Sequence, residues 1–350
     1  MEIITADDLN KIEEWSSAPG RKLLFYHNDP DGICSAALWM KAFPDFEPMA
    51  REGPVMEQGF VRWIADQDPS TVVFVDLPVD QEWKKMRWLE KQVKDLNIIV
   101  IDHHIPEKDI TTPRTIHVNN KLVDISKDRY LPASMIVYDM LESVGRAGKP
   151  VKWIAGIGVI GDYGHKSNQD FFKGMKSRMR KMDKASQMIS AAVTLKGRKG
   201  ADRVLKILLR EKELEGFLER KTLKLWTDYV DREIGETLKD FRKNKEHVPG
   251  LKLIFFRMRS RLNIVSTIST IVSEKHPQSV IIIYKQNPRG MWKASLRMQS
   301  GKRDLGTLAK EAVRGMGSGG GHRNAAGARF DNWVLFRKRV IDALKSRPSA

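Results

Sequence analysis

The chain has 350 residues, with 61 Lys or Arg against 44 Asp or Glu, a net charge of +17 and a pI near 9.8. That length predicts one large or two ordinary domains, each able to bury a core, and the charge favours a polyanion, nucleic acid before an anionic membrane surface. The lone cysteine, Cys34, excludes an intramolecular disulfide, no apolar run approaches the ~18 residues that cross a bilayer, and the acidic start lacks a signal peptide's basic-then-apolar order, so a cytoplasmic protein with no membrane partner is expected.

A helix over about 5–15 opens the chain. Lys22 to Tyr26 reads as a strand ending at His27, and Gly32 to Phe43 as a helix. Val72–Val75 and Asn97–Ile101 are fully apolar, β-branched runs that suit buried parallel strands. Asp80 to Leu96 is a charged amphipathic helix, Arg114–Val118 a short strand, and Pro132–Val144 and Val151–Ile160 are helices. This alternation predicts an α/β fold, a doubly wound parallel sheet. From Lys166 to Arg210 there are 13 Lys or Arg against three Asp, and the whole stretch 166–245 reads as basic helices. The breaker residues of 247–250 predict a linker. A smaller α/β domain follows over 251–350, with strands at Leu251–Met258, Ser279–Lys285 and Trp292–Met298, helices at Ile264–Glu274 and Asp304–Arg314, and a Gly-rich loop from Gly317. The expected domains are 1–246 and 251–350.

Four short segments carry candidate chemistry. His27, Asp29 and Asp31 lie at i, i+2 and i+4, one face of an extended segment, and Gly32 permits a tight turn into the helix; a polar loop with Asp31 as helix N-cap is the alternative. Asp76 follows a buried strand, where a carboxylate is costly unless paired or metal-bound, although taken alone it reads more simply as a helix-entry carboxylate. Asp102, His103 and His104 end another. Adjacent histidines point apart, so one faces a metal and the other substrate, with Asp102 orienting a ring. Asp162 closes an apolar helix, where an acid opposes the helix dipole. Parallel strand ends converge on one edge, so together these groups predict a pair of divalent metals and hydrolysis of a phosphate ester. Nitrogen and oxygen ligands without thiolate suit Mn²⁺ or Mg²⁺, and imidazole favours Mn²⁺. Cys34 is read as core.

Further along, Gly319, Gly320 and Gly321 let backbone N–H groups approach a phosphate, with His322 and Arg323 as added donors and Arg297 as a clamp; composition alone favours a flexible turn. Lys173, Lys176, Arg178, Arg180, Lys181 and Lys184 form one charged surface, either a solvated face or a backbone track for a single strand. Phe171, Phe172 and Trp226 are there to stack bases or, more simply, to fill the core.

The HxDxDG, DLP, DHH and GD segments, in this order, resemble the DHH phosphoesterase superfamily, and Gly319 to Gly327 resembles the motif of its companion DHHA1 domain. The resemblance covers roughly 22–165 and 251–345. It implies two Mn²⁺ ions in a cleft between the domains, His27 and Asp29 on one, Asp31, His103 and Asp162 on the other, with Asp76 bridging. His104 would then sit beside the scissile phosphate, donating a hydrogen bond or acting as general acid, and the Gly-rich loop would bind substrate. With no OB-fold after the DHHA1-like part, the expected activity is that of a compact, archaeal-type RecJ-like exonuclease. It would act on single-stranded DNA or RNA, leaning 3′→5′ and releasing mononucleotides, with a possible replication or repair protein partner. The alternative is a nano-RNase or cyclic-dinucleotide phosphodiesterase acting on very short substrates.

Overall fold

A computed structural model describes residues 3–53, 55–123 and 128–346. The chain folds as two compact units, residues 1–227 and 228–350.

In the first unit, β1 (Lys22–His27), β2 (Phe46–Arg51), β3 (Thr71–Val75), β4 (Asn97–Ile101) and β5 (Thr115–Val118) form one parallel sheet in the order β2-β1-β3-β4-β5. Helices α1 (Ala6–Ser17), α2 (Pro30–Ala42), α3 (Gln58–Asp66), α4 (Trp83–Gln92), α5 (Ala133–Ser143) and α6 (Lys152–Gly161) surround it. Alternate strand residues point to opposite faces. Leu24, Tyr26, Val73, Val75, Ile99 and Ile101 therefore join a core with α2, α5 and α6. Leu23, Phe25, Val72, Phe74, Ile98 and Val100 join another with α3 and α4. Burial on both faces is why β3 and β4 read as unbroken apolar runs. Strand β2 escapes sequence reading because it is an edge strand: Pro48 interrupts it, and of its six residues only Phe46 and Ala50 are buried.

The basic stretch starts irregularly. Residues 166–178, expected as helix, contain only short 3₁₀ turns at Gln169–Phe172 and Lys176–Arg178. Helices α7 (Met179–Lys196), α8 (Arg198–Arg210) and α9 (Leu214–Leu218) follow, and α10 (Lys221–Asn244) leads into the second unit. Phe171 and Phe172 are buried and Trp226 packs on the same core, so all three serve packing.

The second unit holds a six-stranded mixed sheet in the order β10-β11-β9-β8-β7-β6. Its strands are β6 (Glu246–His247), β7 (Leu253–Arg257), β8 (Val280–Gln286), β9 (Trp292–Arg297), β10 (Gly317–His322) and β11 (Ala325–Phe330). Helix α11 (Val265–Lys275) covers one face, and α12 (Leu305–Ala312) and α13 (Trp333–Ser346) the other. The segment 247–250 is no free connector: His247 pairs with Ile254, and the residues after it turn into β7.

The Gly-rich loop is a strand. Gly317–His322 pairs antiparallel along its whole length with Ala325–Phe330, and only Arg323 and Asn324 form the turn. Glycine disfavours strands locally, so pairing with β11 and packing against α12 override propensity. A Cβ at Gly319 would lie 2.8 Å from the Ala309 carbonyl oxygen.

Candidate metal centre

The order β2-β1-β3 reverses the direction of winding at β1, and ligands of open α/β sheets gather at the carboxyl ends beside such a switch point. His27 ends β1 and Asp76 follows β3, so they flank that point. The ladder continues one residue past the strands: the Asp76 N–H donates to Ile101 O (2.9 Å) and the Asp102 N–H to Val118 O (3.0 Å). Those bonds set the height at which each carboxylate leaves the sheet. Asp76 has φ +57°, the left-handed region that a non-glycine residue rarely occupies, and such strain persists where surrounding structure imposes it, commonly at functional sites.

The HxDxDG segment is not extended. Asp29 is the N-cap of α2, its Oδ1 accepting from the Gly32 N–H (2.9 Å), and Asp31 already lies in the first helical turn. The sharp entry explains Gly32: a Cβ there would meet His27 O at 2.3 Å. Asp31 is 1% exposed and accepts from the Ala133 N–H (2.7 Å), the Ser134 N–H (3.0 Å) and the Ser134 hydroxyl at the start of α5. Gly158 of α6 leaves the space, since a Cβ would sit 2.3 Å from Ser134 Oγ and 2.9 Å from Asp31 Oδ1.

The side chains converge. His27, Asp29 and Asp76 offer ligand atoms within 4.8 Å of one another; so do Asp31, His103 and Asp162, and so do Asp76, His103 and His104. His27 Nδ1 is 2.8 Å from Asp29 Oδ2 and 3.4 Å from Asp76 Oδ2, while His103 Nε2 is 3.3 Å from Asp76 Oδ1 and 3.4 Å from Asp162 Oδ2. Asp76 thus belongs to two of the groups with one oxygen toward each histidine. The two adjacent histidines do not diverge: their rings lie 4.6 Å apart and both reach toward Asp76. His104 is the more exposed, and its Nδ1 lies 2.8 Å from Asp102 Oδ1, on a fully buried carboxylate.

Charge is concentrated here. Burial opposes a charged His27, but the adjoining carboxylates of Asp29 and Asp76 outweigh it and push its pKa up to about 11. The same competition, with Asp76 as main partner, raises His103 to about 9. His104 is raised by Asp102 against burial. Burial and the charge of Asp76 hold Asp31 well above the usual carboxylate range, and burial also raises Asp162. In Asp29, burial is outweighed by His27, and the pKa falls to about 2. Asp76 Oδ2 is buried yet has no hydrogen bond of good geometry, and the same holds for His27 Nδ1. Carboxylates and imidazoles aimed at one another with unsatisfied lone pairs fit divalent cations in a carboxylate–imidazole site, which would supply the positive charge now carried by protonated histidines.

Several supports carry no sequence motif. The Tyr130 hydroxyl donates to Asp162 Oδ2 (2.6 Å) and its ring stands edge-on to His103 (5.6 Å). Asn119 Nδ2 donates to His104 O (2.9 Å), and Lys121 Nζ to His103 O. Asp80 Oδ2 accepts from the N–H groups of Glu107 (2.5 Å) and Lys108 (3.3 Å), pinning the loop after the histidines. The order of the motifs could have flagged none of these.

The other candidate set lies in the second unit. Arg297 ends β9 and its guanidinium donates to Ser266 Oγ (3.1 Å). Gly319, Gly320, Gly321 and His322 lie on β10, and Arg323 Nε donates to Gly301 O (2.6 Å).

Two family models match the chain: the DHH family, N-terminal domain, over residues 22–161, and the DHHA1 domain over residues 252–347. The chain belongs to the DHH/DHHA1 superfamily. Among curated proteins none matches its sequence. Among solved structures, exonuclease RecJ bound to manganese is similar at 17% identity over 98% of this chain and 94% of its own, with a TM-score of 0.73. RecJ of Thermus thermophilus in complex with Mn²⁺ is similar at 17% identity over 98% of this chain, with a TM-score of 0.71; this chain spans 55% of that protein's length. The pGpG-specific phosphodiesterase PggH of Vibrio cholerae is similar at 14% identity over 93% of this chain and 98% of its own, with a TM-score of 0.53. At these identities the likeness is one of fold. No helix among the described residues is long and apolar enough to cross a membrane.

Proposed function

We propose that this DHH/DHHA1 protein is a two-metal phosphodiesterase that shortens single-stranded DNA or RNA from an end, 3′→5′, releasing mononucleotides. The carrying observation is the pair of ligand groups joined at Asp76, a strained and buried carboxylate with an unsatisfied oxygen. His27 and Asp29 would hold one ion and Asp31, His103 and Asp162 the other, with Asp76 between them and Mn²⁺ preferred over Mg²⁺ because imidazole takes part. When bound, the ions would supply Lewis acidity toward a phosphoryl oxygen and activate a water for in-line attack. RecJ structures hold Mn²⁺ and also Mg²⁺, which supports a divalent ion in this fold, and the choice of Mn²⁺ rests on the imidazole ligands.

The chain's own residues do the rest. Asp102 holds His104 by Nδ1 and favours its charged form, so Nε2–H is left to donate to a phosphate oxygen as negative charge develops there. Tyr130 fixes Asp162, and the α5 N–H groups fix Asp31, so both carboxylates stay aimed without reorganisation. In the second unit, His322, Arg323, Arg297 and the glycines of β10 would contact the strand.

The test uses purified protein, Mn²⁺ and single strands of two to thirty nucleotides, labelled at either end, as DNA and as RNA, with Asp76→Ala as control. Stepwise shortening of long strands, absent in the variant, is expected, and the labelled end gives the direction. The likeness to PggH favours a second reading, a phosphodiesterase for very short nucleotides; cleavage confined to the shortest strands would select it.

A further inference from the structure

Two parts of the basic stretch differ in their surroundings. On the α7 side, Arg178 and Lys181 both reach Glu215 (2.7 and 3.1 Å), which neutralises part of the surface expected to track a strand. Helix α8 buries Ala201, Val204, Leu205 and Leu208 and exposes Lys199, Arg203, Lys206 and Arg210. Steps of four, three and four residues stack these cations on one stripe, about 16 Å long at 1.5 Å per residue. None of the four forms an ion pair among the described residues. The nearby acids are engaged elsewhere: Asp202 with the Tyr26 hydroxyl (3.2 Å), Glu211 with Arg220, and Glu219 with Lys224 (2.6 Å). Like charges at these spacings repel, and no counterion for the stripe is found among the described residues.

The stripe is also placed and shaped. Arg203, Lys206 and Arg210 of the stripe line a hollow of about 350 Å³ with Arg220 and Lys221, and Glu219 is the one acid among the described lining residues. The stripe's N-terminal end reaches the carboxyl ends of β1 and β2: Asp202 accepts from the hydroxyl of Tyr26, the residue before His27, and Arg198 adds its repulsion to the burial that lowers the pKa of Arg51, the register partner of His27. Lys41 Nζ donates to Leu209 O (3.0 Å) and Glu211 O (3.2 Å) at the far end of α2, so α8 runs alongside α2 away from the catalytic edge.

We propose that the outer face of α8 and the hollow at its end bind the phosphate backbone of a single strand whose terminus occupies the metal centre. This rests on the nuclease reading and names where the length of the substrate is sensed. Contacts of this kind are to phosphates alone and carry no base preference.

The experiment compares wild type with R203A/K206A/R210A. A fluorescent thirty-nucleotide strand is titrated in EDTA, where nothing is cut, across a range of salt, and turnover of thirty-mer against dinucleotide is measured with Mn²⁺. The expected result is at least a tenfold rise in Kd and a fall of about 2 in the salt slope, since each phosphate contact to a single strand contributes about 0.7. The thirty-mer's advantage in turnover should fall tenfold as well. A control variant, R178A/K181A/K184A, removes equal charge from the α7 side. An equal loss there, or a triple variant within twofold of wild type, overturns the track. Binding is read without cleavage, so a protein that holds the strand through α8 and never shortens it would sink the nuclease reading while this one stands.

Discussion

The carboxyl edge of the first sheet and the glycine strand of the second unit are both dense in family motif, and they are built in opposite ways. At the sheet edge the motif residues are buried charged side chains: Asp31, Asp76 and Asp102 are each 2% exposed or less. Such groups are tolerable only when paired or metal-bound: Ser134 and the α5 N–H groups hold Asp31, His104 pairs with Asp102, and Tyr130 holds the neighbouring Asp162. In β10 the motif residues are mostly backbone, exposed and secured by one neighbouring strand and a helix. The first region should therefore fail sharply when one atom changes. The second should tolerate change wherever no neighbour touches it.

The largest contrast lies in activity. Asp76→Asn keeps the shape and removes the charge; the expected loss in kcat is on the order of 10³-fold or more, as for members of a set that act as a unit. His322→Ala should raise KM about tenfold and leave kcat within a few-fold, the pattern of lost uniform binding. Steady-state kinetics on one strand would read both, and matching kcat losses would erase the distinction.

Next is the supporting layer. Tyr130→Phe removes one hydrogen bond to Asp162 and should weaken Mn²⁺ binding about 10–100-fold, the range for partners that orient a ligand. Calorimetric titration would check it; an unchanged affinity would make Tyr130 a bystander.

Protons provide a third contrast. In the metal-free protein His27 and His103 are raised to about 11 and 9 from an ordinary 6.5. Their charged forms contribute stability that is fully present below pH 6.5 and lost as pH rises through 9 and 11. Metal ligation needs neutral imidazole, so Mn²⁺ uptake should expel protons and strengthen from pH 6 to 9. Titrations at pH 7 in buffers of different ionisation enthalpy measure that release; zero protons would contradict the assignment. No such release is expected from the second unit.

The smallest effects are in stability. Gly158→Ala presses on Ser134 and Asp31, and Gly319→Ala on the Ala309 carbonyl; each should cost about 1–3 kcal/mol of overpacking. At Gly320 nothing lies within 4 Å of the new methyl, so Gly320→Ala should change stability by no more than about 0.5 kcal/mol. Denaturant melts of the three variants order them, and a costly Gly320→Ala would show that β10 is more tightly enclosed than its neighbours indicate.

The candidate ligands were legible because each follows an apolar run whose end a parallel sheet must place on one edge: His27 after Lys22–Tyr26, Asp76 after Val72–Val75, His103 after Asn97–Ile101. Patterning also predicted the sandwich of helices around β3 and β4. It missed β2, whose few buried positions and Pro48 resemble a loop, and it misjudged the glycine strand, where local propensity and tertiary pairing disagree. It took His27 to Asp31 as extended, because spacing alone does not reveal that Pro30 starts a helix capped by Asp29.

By itself the sequence determined which residues are available for metal chemistry, the alternation that builds a parallel sheet, and a basic stretch suited to a polyanion. Only the tertiary structure decided that Asp76 is strained between two histidines, that Tyr130 and Gly158 serve the same centre, and that Glu215 neutralises Arg178 and Lys181 beside α7 while the α8 stripe has no ion pair among the described residues. The physical reason is range. Periodicity and strand ends are encoded within a few neighbouring residues, whereas ion pairing, close approach and a carboxylate's aim depend on contacts between residues as far apart as Asp31 and Ser134, which no local pattern records.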